Sequence, residues 1–185
     1  MKRITEGLLA LALLCLCSAM ARAQQLQIKH LDRLAASASE SVEITLDELR
    51  LRAVSKLLTL DADQQRKLRE TLGRLRGVYI RGFEFASDNA YTQADVEALR
   101  TQLRAPGWER IVEVRGRSGD SDEVYLMPQG DQLAGFAHLS AAPRRLCVIN
   151  LVGQLSLDDV GLLENNFRLK NCGLGRGGRR GDKEK

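Results

Sequence analysis

The stretch RRLCVINLV, residues 144–152, decides how this chain folds. Side chains along a strand point alternately to opposite faces, and here Leu146, Cys147, Val148, Ile149, Leu151 and Val152 supply apolar groups to both. A strand with one solvated face alternates apolar with polar residues more cleanly. Two explanations fit. Either the strand is central and its second face is sheltered by the N-terminal segment or by long neighbours, or that face is open and packs on a partner or a second copy. Exposed apolar patches mark contact sites, which keeps the second explanation in play.

Working outward, three more strand-like runs precede it, each ended by turn residues. WERIVEVRGR (108–117) ends at SGDSD, EVYLM (123–127) at PQGD, and QLAGFAHLS (132–140) at AAP. Four strands with short connections form an antiparallel meander. Upstream, SVEITL (41–46) and GVYIRGFEF (77–85) read as strands, the second with Tyr79, Phe83 and Phe85 on one face. Helical spacing appears in Leu31, Leu34 and Ala38, in Leu51, Val54 and Leu58, and in Leu68, Leu72 and Leu75 behind a cap at Asp61 or Asp63. Thr92 and Asp95 resemble a capping box before Val96, Leu99 and Leu103, a helix ended by Pro106-Gly107. Ser156 and Asp159 form a similar pattern before Leu157, Val160, Leu163 and Phe167. The order predicts an α+β fold: a largely antiparallel sheet of about five to six strands with helices packed mainly on one face.

The N-terminus reads as an export signal. Lys2 and Arg3 precede an apolar run from Gly7 to Cys17, and Ala21-Arg22-Ala23 comes next. Spanning a bilayer takes about 20 apolar residues, far more than this run supplies. The pattern predicts a signal peptide over 1–23, cleaved between Ala23 and Gln24, and a periplasmic or secreted product that is not transmembrane after cleavage. Acylation of Cys15 or Cys17 would want a small residue just before the cysteine, and Leu14 and Leu16 stand there. A single domain is expected over 24–167, with a disordered, basic, Gly-rich tail over 168–185. The body carries 18 basic and 21 acidic residues, whereas the tail carries seven and two. The positive net charge therefore belongs to the signal and the tail. A specific nucleic-acid partner is not expected of the body, and the tail suits weak association with anionic surfaces.

The phrases LDRLAASASESVEITLDELRLRAVSKLL, GVYIRGFEF, YTQADVEALRTQLRAPGWERIVEVR and VINLVGQLSLDDVGLL together resemble the uncharacterised exported bacterial family catalogued as domain of unknown function 4252. The likeness covers roughly residues 31–167. It implies a bacterial envelope protein without an established activity, and it supplies no catalytic residues.

Chemistry-bearing motifs are sparse. After signal cleavage the histidines are His30 and His138, and the cysteines Cys147 and Cys172. There is no Cys-x-x-Cys, His-Glu-x-x-His or Gly-x-Ser-x-Gly, and no metal-ligand spacing, so neither metal nor cofactor is expected. GLGRGG (173–178) does not sit between a strand and a helix as a dinucleotide fingerprint must. RGD (180–182) lies in the basic tail, and GDSDE (119–123) reads as a hairpin turn rather than a calcium loop.

One pairing carries a chemical possibility. If a four-residue loop, 141–144, joins the last two strands, His138 faces Cys147 across them, the contact that activates a cysteine nucleophile. Against it stand the lack of an orienting third group and the habit of mid-strand cysteines to serve as small apolar residues. Cys147 and Cys172 are also a possible disulfide, the other reading being two free thiols. Arg81, Glu113, Arg115 and Tyr125 are polar positions within strands, forming either a salt-bridged solvent face or a shallow binding face. The resulting expectation leans away from an enzyme. It favours a protein-interaction module using an open sheet face, with an envelope protein or a homodimer partner. The alternative is a small-ligand-binding protein or thiol-dependent enzyme around His138 and Cys147.

Overall fold

The structure, a computed structural model, describes residues 25–57 and 62–166. A 3₁₀ helix (Lys29–Ala36) opens the fold and leads into β1 (Glu40–Asp47). Two helices come next, α1 (Glu48–Leu57) and α2 (Ala62–Arg74), and then β2 (Leu75–Glu84) and α3 (Gln93–Leu103). The meander comprises β3 (Glu109–Arg115), β4 (Ser121–Gln129), β5 (Gln132–Ala142) and β6 (Arg145–Leu155), and α4 (Leu157–Asn166) closes the described region. The six strands form one open sheet in the order β1-β2-β6-β5-β4-β3, with every neighbouring pair antiparallel. The α+β class and the strand count agree with the sequence expectation. The expected signal peptide, its cleavage point at Ala23 and Gln24, and the tail from residue 168 lie outside the described residues, as do Leu58 and Phe167.

β6 occupies an interior position, between β2 and β5, and both of its faces are covered. On one face Cys147, Ile149 and Leu151 pack with Leu51 of α1, Leu68 and Leu72 of α2 and Leu163 of α4. On the other, Leu146 and Val148 join Leu31 and Leu34 of the 3₁₀ helix, Val96, Leu99 and Leu103 of α3, and Leu26 and Ile28 of the N-terminal segment. Three helices thus share the first face, and the 3₁₀ helix and α3 take the second. The sheltered-strand explanation is the one the fold realises. Each fully buried aliphatic side chain contributes about 1.5–3 kcal/mol relative to leaving it in water.

Asn150, the one polar residue between Leu146 and Val152, has a positional role. Its Oδ1 accepts from the Leu26 N–H at 2.9 Å, and its Nδ2 donates to the Phe136 carbonyl at 3.3 Å, all out of contact with water. The side chain thereby ties the N-terminal segment over the second face.

Both capping patterns form. The Asp95 carboxylate accepts from the N–H and the hydroxyl of Thr92 at 2.8 Å each. At α4, Asp159 Oδ2 accepts from the Ser156 N–H and hydroxyl, and the Ser156 hydroxyl accepts from the Asp159 N–H. Asp159 Oδ1 also accepts from Thr71 at 2.5 Å and Arg74 at 2.7 Å, locking α4 to α2. Burial raises its pKa, but these donors outweigh that and hold the carboxyl below the ordinary range. Leu157, expected on the buried stripe of this helix, is 65% exposed. It stands at the first helical position, directly after the cap, where the side chain projects past the core that Leu163 reaches.

Gly153 shows a backbone requirement. Its φ is +131°, and a Cβ there would lie 2.6 Å from the Arg74 carbonyl oxygen, at the register shift between Leu75 and Gly77.

Candidate functional site

The β5–β6 connection tests the His138–Cys147 contact. Ala142 pairs with Arg145, leaving Pro143 and Arg144 as a two-residue link in place of four. The shorter link shifts the register by two residues, so His138 pairs with Ile149 and Cys147 with Ser140. His138 and Cys147 remain on one face but are staggered. Cys147 is disulfide-bonded, which removes the thiolate a nucleophile needs. The bond excludes the free-thiol reading for Cys147; Cys172, the mate the sequence offers as possible, lies outside the described residues.

Around that position the sheet buries an unusual polar group. His138 Nε2 stands 3.4 Å from Asp122 Oδ1, an electrostatic contact longer than a formed hydrogen bond. The imidazole is the main influence holding the Asp122 carboxyl below its usual range. Burial opposes it, while Ser140 and the Arg145 charge assist. Asp122 Oδ1, His138 Nδ1, Ser140 Oγ and Arg145 Nε are buried and have no hydrogen-bond partner among the described residues. The cleft beside Arg145 and Cys147 measures about 20 Å³, room for a single water. Among the described residues, no three His, Cys, Asp or Glu side chains converge as metal ligands would.

The other polar positions divide into two places. Arg81 on β2 is buried by its own partners: Asp32 at 2.8 Å, Glu43 at 2.7 Å, Thr45 at 3.1 Å and the Ile80 carbonyl at 3.0 Å. It fastens the 3₁₀ helix and β1 to the sheet and is not part of a solvated face. Tyr125, Glu113 and Arg115 do come together, across β3 and β4. Tyr125 is buried, and its hydroxyl donates to Glu123 Oε2 at 2.5 Å. Burial and the adjacent Glu123 charge push the Tyr125 pKa up to about 12. Arg100 of α3 grips Glu123 at 2.6 Å, and Arg110 bridges outward to Glu113 at 2.8 Å, which Arg115 meets at 2.6 Å. Burial raises the Glu123 pKa, yet hydrogen bonds from Arg100 and Tyr125 and the nearby cations hold it below the ordinary range. Glu123 and Arg100 are functional-looking groups that the sequence motifs do not single out. A signal exists in the alternation Ser121, Glu123, Tyr125, Met127, which puts an acid on the inward face. Beside this network a polar groove of about 270 Å³ runs between α3 and the β3–β4 turn, lined by Tyr91, Arg100, Arg115, Asp120 and Ser121 among others.

The third feature is the outer edge of the sheet. Every residue of β3 is exposed. Ile111, Val112 and Val114 are 53%, 40% and 56% accessible and form the main group of exposed large hydrophobics among the described residues, the others being Leu49 and Leu157. Val112 pairs with Val124 and Val114 with Asp122, so both valines lie on the helix-poor end of the first face, beside the half-buried Val124 and Leu126. Ile111 is the extra residue of a bulge between Arg110 and Val112. The open apolar surface therefore lies at β3, not at β6, where the apolar content of the sequence points.

A family model described as Domain of unknown function (DUF4252) matches residues 37–163, more than half of the chain. No curated protein and no solved structure gives a match.

Proposed function

The chain belongs to the DUF4252 family, and, since that family brings no activity with it, we propose that it is a non-enzymatic protein-interaction module of the bacterial envelope. It docks its partner along the exposed edge strand β3. The observation that carries this reading is the coincidence, on one strand, of a sheet edge unpaired among the described residues with three of the exposed large aliphatics, Ile111, Val112 and Val114. Edge strands present a row of unpaired N–H and C=O groups, a ready template for another strand. Apolar side chains beside that row add affinity. Export rests on the N-terminal pattern, and the basic tail favours residence near anionic surfaces.

The test is a photo-crosslinking amino acid placed at Val114 of the full chain in cells, with Glu70 on the exposed side of α2 as control. Position 114 is expected to yield a defined protein adduct in the envelope fraction, from a chain whose mass begins at Gln24. Equal labelling from 114 and 70 would sink the docking surface, and a mature protein confined to the cytosol would sink the location.

A further inference from the structure

We propose that the occupant of the β3 edge is a second copy of this chain, paired strand to strand and antiparallel about a two-fold axis at Val114. This rests on the edge-docking reading and names its partner.

The backbone fixes which residues can pair. The Gly116 N–H donates to the Asp120 carbonyl at 2.7 Å, so the Gly116 backbone is turned toward β4. Polar groups alternate sides along a strand, so those of Arg115 and Glu113 face away from β4 and those of Val114 and Val112 face it. The free edge therefore offers the N–H and C=O of Glu113 and Arg115. The bulge at Ile111 limits regular pairing to Val112 and the residues after it.

A two-fold axis allows few registers in that window. With Glu113 on the axis, two carboxylates stand opposite each other; with Arg115 there, two guanidinium groups do. With Val112 there, Glu113 must pair with the bulged Ile111. With Val114 on the axis, Glu113 of each copy faces Arg115 of the other. These are the outward-facing residues, so each pair exchanges two backbone hydrogen bonds as well as opposing charges, and symmetry makes the arrangement twice. Val114 then meets its own counterpart, and Val112 lies over Gly116 of the second copy, which has no side chain to collide. The apolar strip of Val112, Val114, Val124 and Leu126 becomes continuous across the joint, as an isologous interface requires. The other free edge, β1, carries Glu40, Glu43 and Asp47 and offers no such self-complementarity.

The experiment is sedimentation and native mass spectrometry of the purified protein, with charge reversals at the edge. The wild-type chain is expected to dimerise. Glu113→Arg and Arg115→Glu should each weaken the dimer by roughly tenfold, because two attractive pairs become repulsive. An equimolar mixture of the two variants should form the heterodimer in preference to either homodimer, since each arginine then faces a glutamate. Val114→Cys should form an intermolecular disulfide on mild oxidation, because opposed Cα atoms at a non-hydrogen-bonded position are about 4.5 Å apart, whereas Val112→Cys should not. A monomer at every concentration would overturn the inference, as would a dimer indifferent to both reversals. If the protein is monomeric while position 114 crosslinks another envelope protein, self-pairing falls and the docking edge stands. If the dimer ignores the reversals and position 114 labels nothing, both fall.

Discussion

β6 and β3 are both rich in β-branched residues, and they have opposite fates. RLCVINLV is buried on its two faces at the interior of the sheet, whereas ERIVEVR is exposed along its whole length at the edge. The two strands differ in how their apolar positions are spaced. β6 places apolar groups at odd and even positions alike and collects helices on both sides. β3 alternates its valines with Glu113 and Arg115, and no helix of the described region covers it. Burial therefore depends on position in the strand order as much as on apolar content, and an interaction surface should be sought where apolar residues remain after the core is complete.

The most direct challenge to that contrast is to make one substitution in both strands. Ile149→Ala should cost about 2–5 kcal/mol in chemical denaturation, through lost burial and the cavity left behind. Ile111→Ala should stay within about 0.5 kcal/mol, and a comparable loss at both sites would mean that β3 is covered in the folded protein. A smaller effect is expected at Asn150, whose side chain shelters the second face of β6 indirectly. Asn150→Ala leaves the Leu26 N–H buried without its acceptor, at a cost of about 1–3 kcal/mol. Amide exchange at Leu26 should accelerate well before that of the β6 amides; unchanged protection there would contradict the tether.

The third prediction concerns pH and is the most gradual. Asp95, Asp122, Glu123 and Asp159 all have folded-state pKa values below their ordinary ones. A carboxyl so depressed contributes stability that is present above its unfolded pKa, about 4, and is lost as pH falls through the lower folded value. Stability should therefore decline on acidification below about pH 4, and Glu123→Gln should flatten that decline. Tyr125 acts at the other end. With its pKa raised from 10.0 to about 12, its contribution is full below 10 and disappears as pH rises through that interval. Tyr125→Phe should remove much of the alkaline component, with Tyr79 and Tyr91, also raised by burial, keeping the rest, and an unaltered profile would show that Tyr125 is not buried against Glu123 in solution.

Much of this organisation is legible residue by residue. The six strands, the two capping boxes, Leu68 and Leu72 of α2 and the stripe of α3 appear in sequence because they depend on neighbours within four residues; Leu75, read with the α2 stripe, instead opens β2, where it pairs with Gly153. For His138 and Cys147 the sequence reveals the shared face but not the register, because nothing in Ala141-Ala142-Pro143-Arg144 declares a loop of two residues rather than four. Arg81 reads as a solvent-facing charge because Asp32 and Glu43, which bury it, are remote in sequence. Glu113, Arg115 and Tyr125 do meet, but Tyr125 is drawn inside by Glu123 and Arg100, a partnership that spans β4 and α3.

Local pattern was thus enough to specify the elements, their order, the caps of α3 and α4 and the two-sided apolar character of residues 144–152, since alternation and helical periodicity are direct consequences of backbone geometry. What covers each face, which charges are buried and which apolar strand is left at the edge were settled by the folded arrangement alone. Those outcomes depend on strand order and on contacts between residues far apart in the chain, and no local pattern encodes them.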